Sequence, residues 1–313
     1  MDKLCFGIDI GGTTVKLGLF TSEGTLLTKW EIPTRKENAG GYILGDVAKS
    51  IQDKMEEMSL DKNQIVGIGM GVPGPVTEDG TIIKGVNLGW GIFNVAKTMK
   101  DLTGFDTKVG NDANVAALGE MWQGGGKGYK NLVMVTLGTG VGGGVILNSE
   151  ILTGSNGAAG ELGHIKVNYE ERDTCGCGKT GCLEQYASAS GIVKEAKRLL
   201  DKSMESSVLR NENELTAKAI FDAAKEGDTL AVSLVEQLGW YLGIALSHVG
   251  AVIDPEVFVI GGGVSGAGTV LTEVIKKYYE ENVMLALKNK VFALAKLGND
   301  AGIYGSAKLI LGK

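Results

Sequence analysis

Residues 9–20 read DIGGTTVKLGLF, and residues 136–147 read TLGTGVGGGVIL. Each stretch is a short apolar strand, a turn built from glycine and threonine, and a second apolar strand. A turn of this kind exposes backbone amides and a hydroxyl, and glycine lets an anion approach where a Cβ would hold it off. A plain hairpin turn is the alternative for either copy taken alone. Two matching turns at the heads of two matching segments favour a duplicated α/β unit with a ligand cleft between the copies.

The flanking sequence extends this pattern. Residues 4–10 (LCFGIDI) form an apolar run that predicts a buried strand, and 15–20 and 25–32 predict two more at hairpin spacing. Helical spacing follows over 41–57, then a strand at 65–71, a Pro/Gly loop, a helix at 93–102, a strand at 107–110 and a helix at 112–122. The second cycle starts at 131, with strands at 133–138 (VMVTLG) and 143–147 (GGVIL) and a polar, glycine-rich stretch over 153–185. A mainly helical region covers 186–250. A strand at 256–260, Gly261-Gly262-Gly263, a helix over 268–284, a strand near 291–295 and a helix at 301–311 complete it.

Two other glycine patterns lack the context that would give them meaning. GMGVPG (69–74) and GTGVGG (138–143) fit a dinucleotide-binding spacing, which requires a strand, a turn and then a helix. The first runs into Pro73 and Pro75, and the second into another strand. Gly178-Lys179-Thr180 ends like a P-loop, but Asp173 stands where the first glycine belongs.

Composition narrows the classes. Of 313 residues, 43% are hydrophobic and 22% charged, as in ordinary globular proteins, and the length suits two domains. The 49 glycines are clustered rather than periodic, which excludes a collagen-like chain. A net charge of −6 with no Lys/Arg cluster argues against a nucleic-acid partner. No run of 18 apolar residues occurs and the amino terminus enters a strand at once, so neither a membrane span nor an export signal is expected, and cytoplasm is the expected compartment.

Acidic residues sit where chemistry could use them. Asn111-Asp112 follows a short strand and opens a helix. An acid there serves either as a helix cap or as a general base accepting a hydroxyl proton during phosphoryl transfer, with Asn111 beside it to fix that hydroxyl. Asp9 ends the first strand and is a candidate for Mg²⁺ coordination through water. His164 precedes Cys-x-Cys-x₄-Cys at Cys175, Cys177 and Cys182, a donor set suited to a closed tetrahedral zinc site; reduced free thiols are the alternative. Glu161 and Glu184 flank this cluster, and carboxylates there suit a polyol or simply face solvent. Cys5, in the first strand, reads as a small buried apolar residue.

Together the motifs DIGGTTVKLGLF, GVPGPV, GNDANVAALGE, GTGVGGGVI, GELGH, CGCGKTGCLEQYAS and IGGGVS resemble the ROK family (repressors, open reading frames and kinases), in the family's order and closest to its bacterial glucokinases. GNDAGIYGSAKL (298–309) resembles the family's closing helix. The resemblance implies an α/β, actin-like ATPase fold of two ribonuclease-H-like domains with the active site in the cleft. The expected lobes are 1–115 plus about 300–313, and 116–299 carrying the zinc site and dimer-forming helices. It implies ATP-dependent phosphorylation of glucose at the 6-hydroxyl, or of another hexose or N-acetylhexosamine, by a homodimer using ATP, Mg²⁺ and a structural Zn²⁺. A sugar sensor without catalysis is a further alternative, but the helix-turn-helix extension of the family's repressors has no room before the first strand.

In that reading Asp112 is the catalytic base. The sugar is held by Asn111, Asp112, Glu161, His164 and Glu184. ATP meets Asp9, Gly11, Gly12, Thr13 and Lys16, then Gly138, Thr139 and Gly140, and finally Gly261, Gly262 and Gly263. Zinc is bound by His164, Cys175, Cys177 and Cys182.

Overall fold

A computed structural model describes residues 3–312; residues 1, 2 and 313 of the expected smaller lobe lie outside the described residues. The first sheet is built from β1 (Leu4–Ile10), β2 (Thr14–Thr21), β3 (Leu26–Pro33), β4 (Ile65–Val72) and β5 (Thr107–Asn111), in the order β3-β2-β1-β4-β5. The second is built from β6 (Leu132–Leu137), β7 (Val141–Leu147), β8 (Glu150–Ile151), β9 (Val257–Gly261) and β10 (Val291–Leu294), in the order β8-β7-β6-β9-β10. The two orders are the same permutation. In each sheet the third strand is antiparallel to the second, and the fourth and fifth run parallel beside the first. The duplication read from the two glycine turns thus extends to the full topology. A small antiparallel pair joins Thr81–Ile82, in the expected Pro/Gly loop, to Phe93–Asn94, the first two residues of the expected helix, which instead begins at Val95.

The helices longer than four residues are α1 (Ile43–Glu57), α2 (Val95–Thr103), α3 (Asp112–Gln123), α4 (Ala189–Lys202), α5 (Ala217–Lys225), α6 (Thr229–Ile253), α7 (Thr269–Asn282) and α8 (Ala301–Leu311). α3 and α8 follow the fifth strand of their respective sheets and open on the same words, Gly110-Asn111-Asp112 and Gly298-Asn299-Asp300. α6 is long and apolar enough to cross a membrane by length and composition, but 61% of its most apolar window is buried inside the protein. Leu234, Leu238, Leu242 and Leu246 at helical spacing make it a core helix.

By packing, the chain divides into two compact units. One runs to Lys130, resumes over Gly144–Gly160 and takes in the chain from Lys296; the other comprises Asn131–Gly143 and Glu161–Ala295. In the first unit, both faces of β1 are buried. Phe6, Ile8 and Ile10 join Val47, Ile51 and Met55 of α1 in one cluster, while Cys5 joins Ile303, Ala307 and Ile310 of α8 in another. Each Val, Ile, Met or Phe side chain among these contributes roughly 1.5–3 kcal/mol when removed from water. Cys5 is inert here: burial pushes its thiol up to about 12.

The α8 face explains several glycines. A Cβ on Gly7 would lie 2.1 Å from the Ile303 carbonyl oxygen, and one on Gly69 only 1.7 Å from that of Ser306. Gly305 would meet the Val115 carbonyl oxygen at 1.5 Å, so α3 and α8 touch backbone to backbone. Ser306 Oγ donates to the Ile8 carbonyl at 2.8 Å, which pins the helix over β1. Asp9 shares this face, since it follows Cys5 and Gly7 at strand period two. It therefore meets the start of α8, where a Cβ on Gly302 would lie 2.5 Å from Asp9 Oδ2.

Candidate active site

In the first unit, Asp9, the Gly11–Thr13 turn, Lys16, Asn111 and Asp112 are all carried by β1, β2, β5 and α3. Asp9 and Lys16 are cross-strand partners in the hairpin. Burial, then the negative charge of Asp112, pushes the Asp9 carboxyl up to about 6, against a partial pull downward from Lys16. Lys16 Nζ itself donates to the Asn299 carbonyl at 2.9 Å. Thr13 at the tip of the turn is exposed.

β5 passes into α3 without a connecting residue, so Asp112 is the first residue of the helix. The cap is Asn111, whose Oδ1 accepts from Ala113 N–H at 3.0 Å and Asn114 N–H at 3.2 Å. This corrects the cap assignment by one position. Asn111 Nδ2 donates to the Gly74 carbonyl at 3.1 Å and to Asp112 Oδ1 at 3.0 Å. Both ends of the amide are thus occupied, and one of its tasks is to orient the acid next to it. Asp112 Oδ1 also accepts from Ala113 N–H at 2.9 Å. A carboxylate at a helix start is favoured by the dipole and by those amides.

In the second unit, the turn at Gly138–Gly140 is closed by Gly138 N–H donating to the Gly140 carbonyl at 3.0 Å. It is fastened to the segment after Cys182. Ala189 N–H donates to the Gly138 carbonyl at 2.8 Å, and Ser190 Oγ to that of Thr139 at 2.6 Å. Glu184 Oε2 accepts from Val141 N–H at 3.0 Å, a contact no motif announced. A Cβ on Gly140 would lie 2.2 Å from that carboxylate oxygen, so any side chain there would displace the Glu184 carboxylate. Gly262, at φ +81°, packs its Cα against Leu137 just ahead of the same turn. The third glycine run and the second glycine turn therefore meet.

Glu161, Gly163 and His164 reach the same hairpin, since a Cβ on Gly163 would lie 2.2 Å from the Val141 carbonyl oxygen. One ligand atom each from His164, Cys175, Cys177 and Cys182 fall within 4.8 Å of one another. Cys177 and Cys182 sulfurs are 3.6 Å apart, and His164 Nδ1 is 3.8 Å from Cys175 Sγ. Zinc–sulfur bonds of about 2.3 Å in a tetrahedron give sulfur separations of about 3.8 Å, so the donor set fits a zinc ion. His164 Nε2 faces away, 3.9 Å from Glu161 Oε2. A brace absent from the sequence reading holds the knuckle to α4: Arg198 bonds Glu171 at 2.8 Å and Asp173 at 2.5 Å, and Tyr186 OH donates to Glu171 at 2.7 Å. The Arg198 guanidinium holds the Glu171 carboxyl well below the usual carboxylate range.

Two sheets of identical order, each with a glycine turn after its first strand, define the actin-like ATPase fold. The chain matches the ROK family over residues 5–313 and belongs to it. A glucokinase of Halalkalibacterium halodurans is 42% identical over 99% of this chain and 95% of its own length. The crystal structure of a ROK hexokinase from Thermus thermophilus aligns with a TM-score of 0.79 at 30% identity, covering 97% of this chain and 96% of its own. That of a ROK glucokinase from Streptomyces griseus with glucose and AMPPNP aligns at 0.74 and 31% identity, covering 97% and 98%.

Proposed function

We propose that the protein is an ATP-dependent hexose kinase that transfers the terminal phosphoryl group of ATP to the 6-hydroxyl of glucose, with Asp112 as general base. The observation that carries this is the placement of Asp112 at the first position of α3, with Oδ1 held by Asn111 Nδ2 and Ala113 N–H. The glucokinases among its relatives support the substrate.

Asp112 accepts the proton as the sugar oxygen attacks the γ-phosphorus. A positioned base of this kind contributes roughly 10²- to 10⁴-fold. Phosphoryl transfer otherwise depends on placement and charge. The amides of Gly12, Thr13, Thr139 and Gly140 are the groups we assign to the phosphates, with Gly11 and Gly138, whose own N–H groups close the two turns, shaping them, and Gly261–Gly263 to the adenosine. Lys16 adds a positive charge at the phosphate end. Asp9 would hold the water shell of the Mg²⁺ that arrives with ATP, and that ion would neutralise phosphate charge. Glu161, His164 and Glu184 would hold the sugar hydroxyls, with Asn111 orienting Asp112 among them.

His164, Cys175, Cys177 and Cys182 would hold a structural zinc, whose four protein ligands leave no position for substrate. With Nδ1 turned to the thiols, His164 presents Nε2 as a fixed N–H donor to a sugar oxygen. The same reading places the enzyme in the cytoplasm as a homodimer. The free thiols suit a reducing compartment, and the exposed Val232 and Trp240 on α6 suit an association surface.

A panel of glucose, fructose, mannose, allose, N-acetylglucosamine and N-acetylmannosamine in an ADP-release assay with ATP and Mg²⁺ tests the substrate. Glucose should give the highest kcat/KM. A higher value for an N-acetylated sugar would move the assignment to that sugar.

A further inference from the structure

Lys36 stands over the first glycine turn, although 24 residues of sequence separate it from Gly12. The backbone brings it there. Thr34 Oγ1 donates to the Gly11 carbonyl at 2.8 Å, and Thr34 N–H donates to the Thr13 carbonyl at 2.9 Å. These two bonds staple the segment before Lys36 to the turn. On the other side, Gly40 N–H donates to the Lys36 carbonyl at 3.0 Å, and Trp90 Nε1 donates to the Gly40 carbonyl at 3.1 Å. Between them Asn38 and Ala39 hold φ of 52° and 53°. A non-glycine residue keeps that backbone only where its surroundings enforce it, and such segments concentrate at functional sites.

The side chain is exposed and uncommitted. A Cβ built on Gly12 would lie 4.0 Å from Lys36 Nζ and would meet no other atom within 4 Å. Neighbouring Arg35 is engaged with Asp46 and lies over the Tyr42 ring. Lys16 is engaged with the Asn299 carbonyl. Among the described residues, Lys36 is therefore the one cation at this turn with no ion pair or hydrogen bond to its ammonium. The Gly12 and Thr13 amides likewise find no acceptor among the described residues.

We propose that Lys36 is a phosphate-binding residue for the nucleotide, its ammonium closing on phosphoryl oxygens seated against Gly11–Thr13. A lysine suits this task as a compact, mobile point charge with three donors. The proposal rests on reading that turn as a nucleotide-phosphate site.

Binding of a non-hydrolysable ATP analogue with Mg²⁺, measured by calorimetry on the full chain, tests it. Lys36→Met should weaken binding roughly 10- to 100-fold, as expected for loss of a bond between charged groups. It should flatten the decline of affinity with salt. Lys36→Arg should restore most of the affinity, and the KM for glucose and the melting temperature should not move. Unchanged nucleotide affinity in Lys36→Met, or an equal loss for glucose, would overturn the proposal. If the wild type binds no nucleotide, the phosphate reading of the turn and the role of Lys36 fall together. If nucleotide binding depends on Lys36 but no hexose is phosphorylated, Lys36 stands and the hexose-kinase reading falls.

Discussion

Replacing Asp9 by asparagine should stabilise the fold while disabling the site. Asp9 lies on the α8 face of β1, against Gly302 and within the field of Asp112. Burial and that second charge push its carboxyl up to about 6 from an ordinary value of 3.8. A carboxyl raised on folding favours the native state fully below about pH 4, and that contribution is lost as pH rises through about 6. At pH 7 to 8 the native chain therefore holds an ionised Asp9 at a cost. At 1.36 kcal/mol per pKa unit, the difference between about 6 and 3.8 corresponds to about 3 kcal/mol. Asparagine keeps the shape and removes the charge. Asp9→Asn should then raise Tm at pH 8 by about 6 °C, at roughly 2 °C per kcal/mol for a chain of this size. The gain should fade toward pH 4, where the native Asp9 is already neutral. Scanning calorimetry at several pH values reads both, and kcat should fall with the loss of the Mg²⁺ contact. A variant less stable at pH 8, or equally stabilised at both ends of the range, would refute the reasoning.

Three further outcomes follow from the packing. Removing zinc by chelation, or changing Cys177→Ala, should raise the KM for sugar far more than that for ATP; equal increases in steady-state kinetics would point to general unfolding. Glu120 is fully buried, and its carboxylate accepts from Gly125 N–H at 2.6 Å, Lys296 N–H at 3.0 Å and Leu297 N–H at 2.8 Å. Glu120→Ala should cost about 4 kcal/mol in denaturant unfolding, because buried donors left without an acceptor cost about 1–3 kcal/mol each. Gly305→Ala should destabilise by about 3 kcal/mol or more, since its Cβ would sit 1.5 Å from the Val115 carbonyl oxygen.

Much of the fold was legible because its signals are local. The apolar run LCFGIDI, the glycine turns and the apolar spacing of α1 and α6 each fix an element from adjacent residues. The duplication was legible because both copies kept their turn. What escaped depends on backbone groups brought from afar. Glu120 reads as an ordinary helix residue until the amides of Lys296 and Leu297 arrive 176 and 177 residues later. Lys36 is one more surface lysine until Thr34 staples it to the glycine turn. The cap of α3 moved from Asp112 to Asn111 because the strand runs into the helix with no loop, a feature that composition does not mark. Glu184 was singled out as a sugar ligand from its place after the cysteines, but its bond to Val141 N–H required the fold of the knuckle onto β7.

The most direct measurement is ADP release from ATP and Mg²⁺ with glucose, made on the wild type and Asp112→Asn side by side, with glucose affinity measured on both. The account predicts glucose-dependent turnover by the wild type, a kcat lower by roughly 10²- to 10⁴-fold in the variant, and glucose affinity largely retained. Turnover by Asp112→Asn near that of the wild type would contradict it.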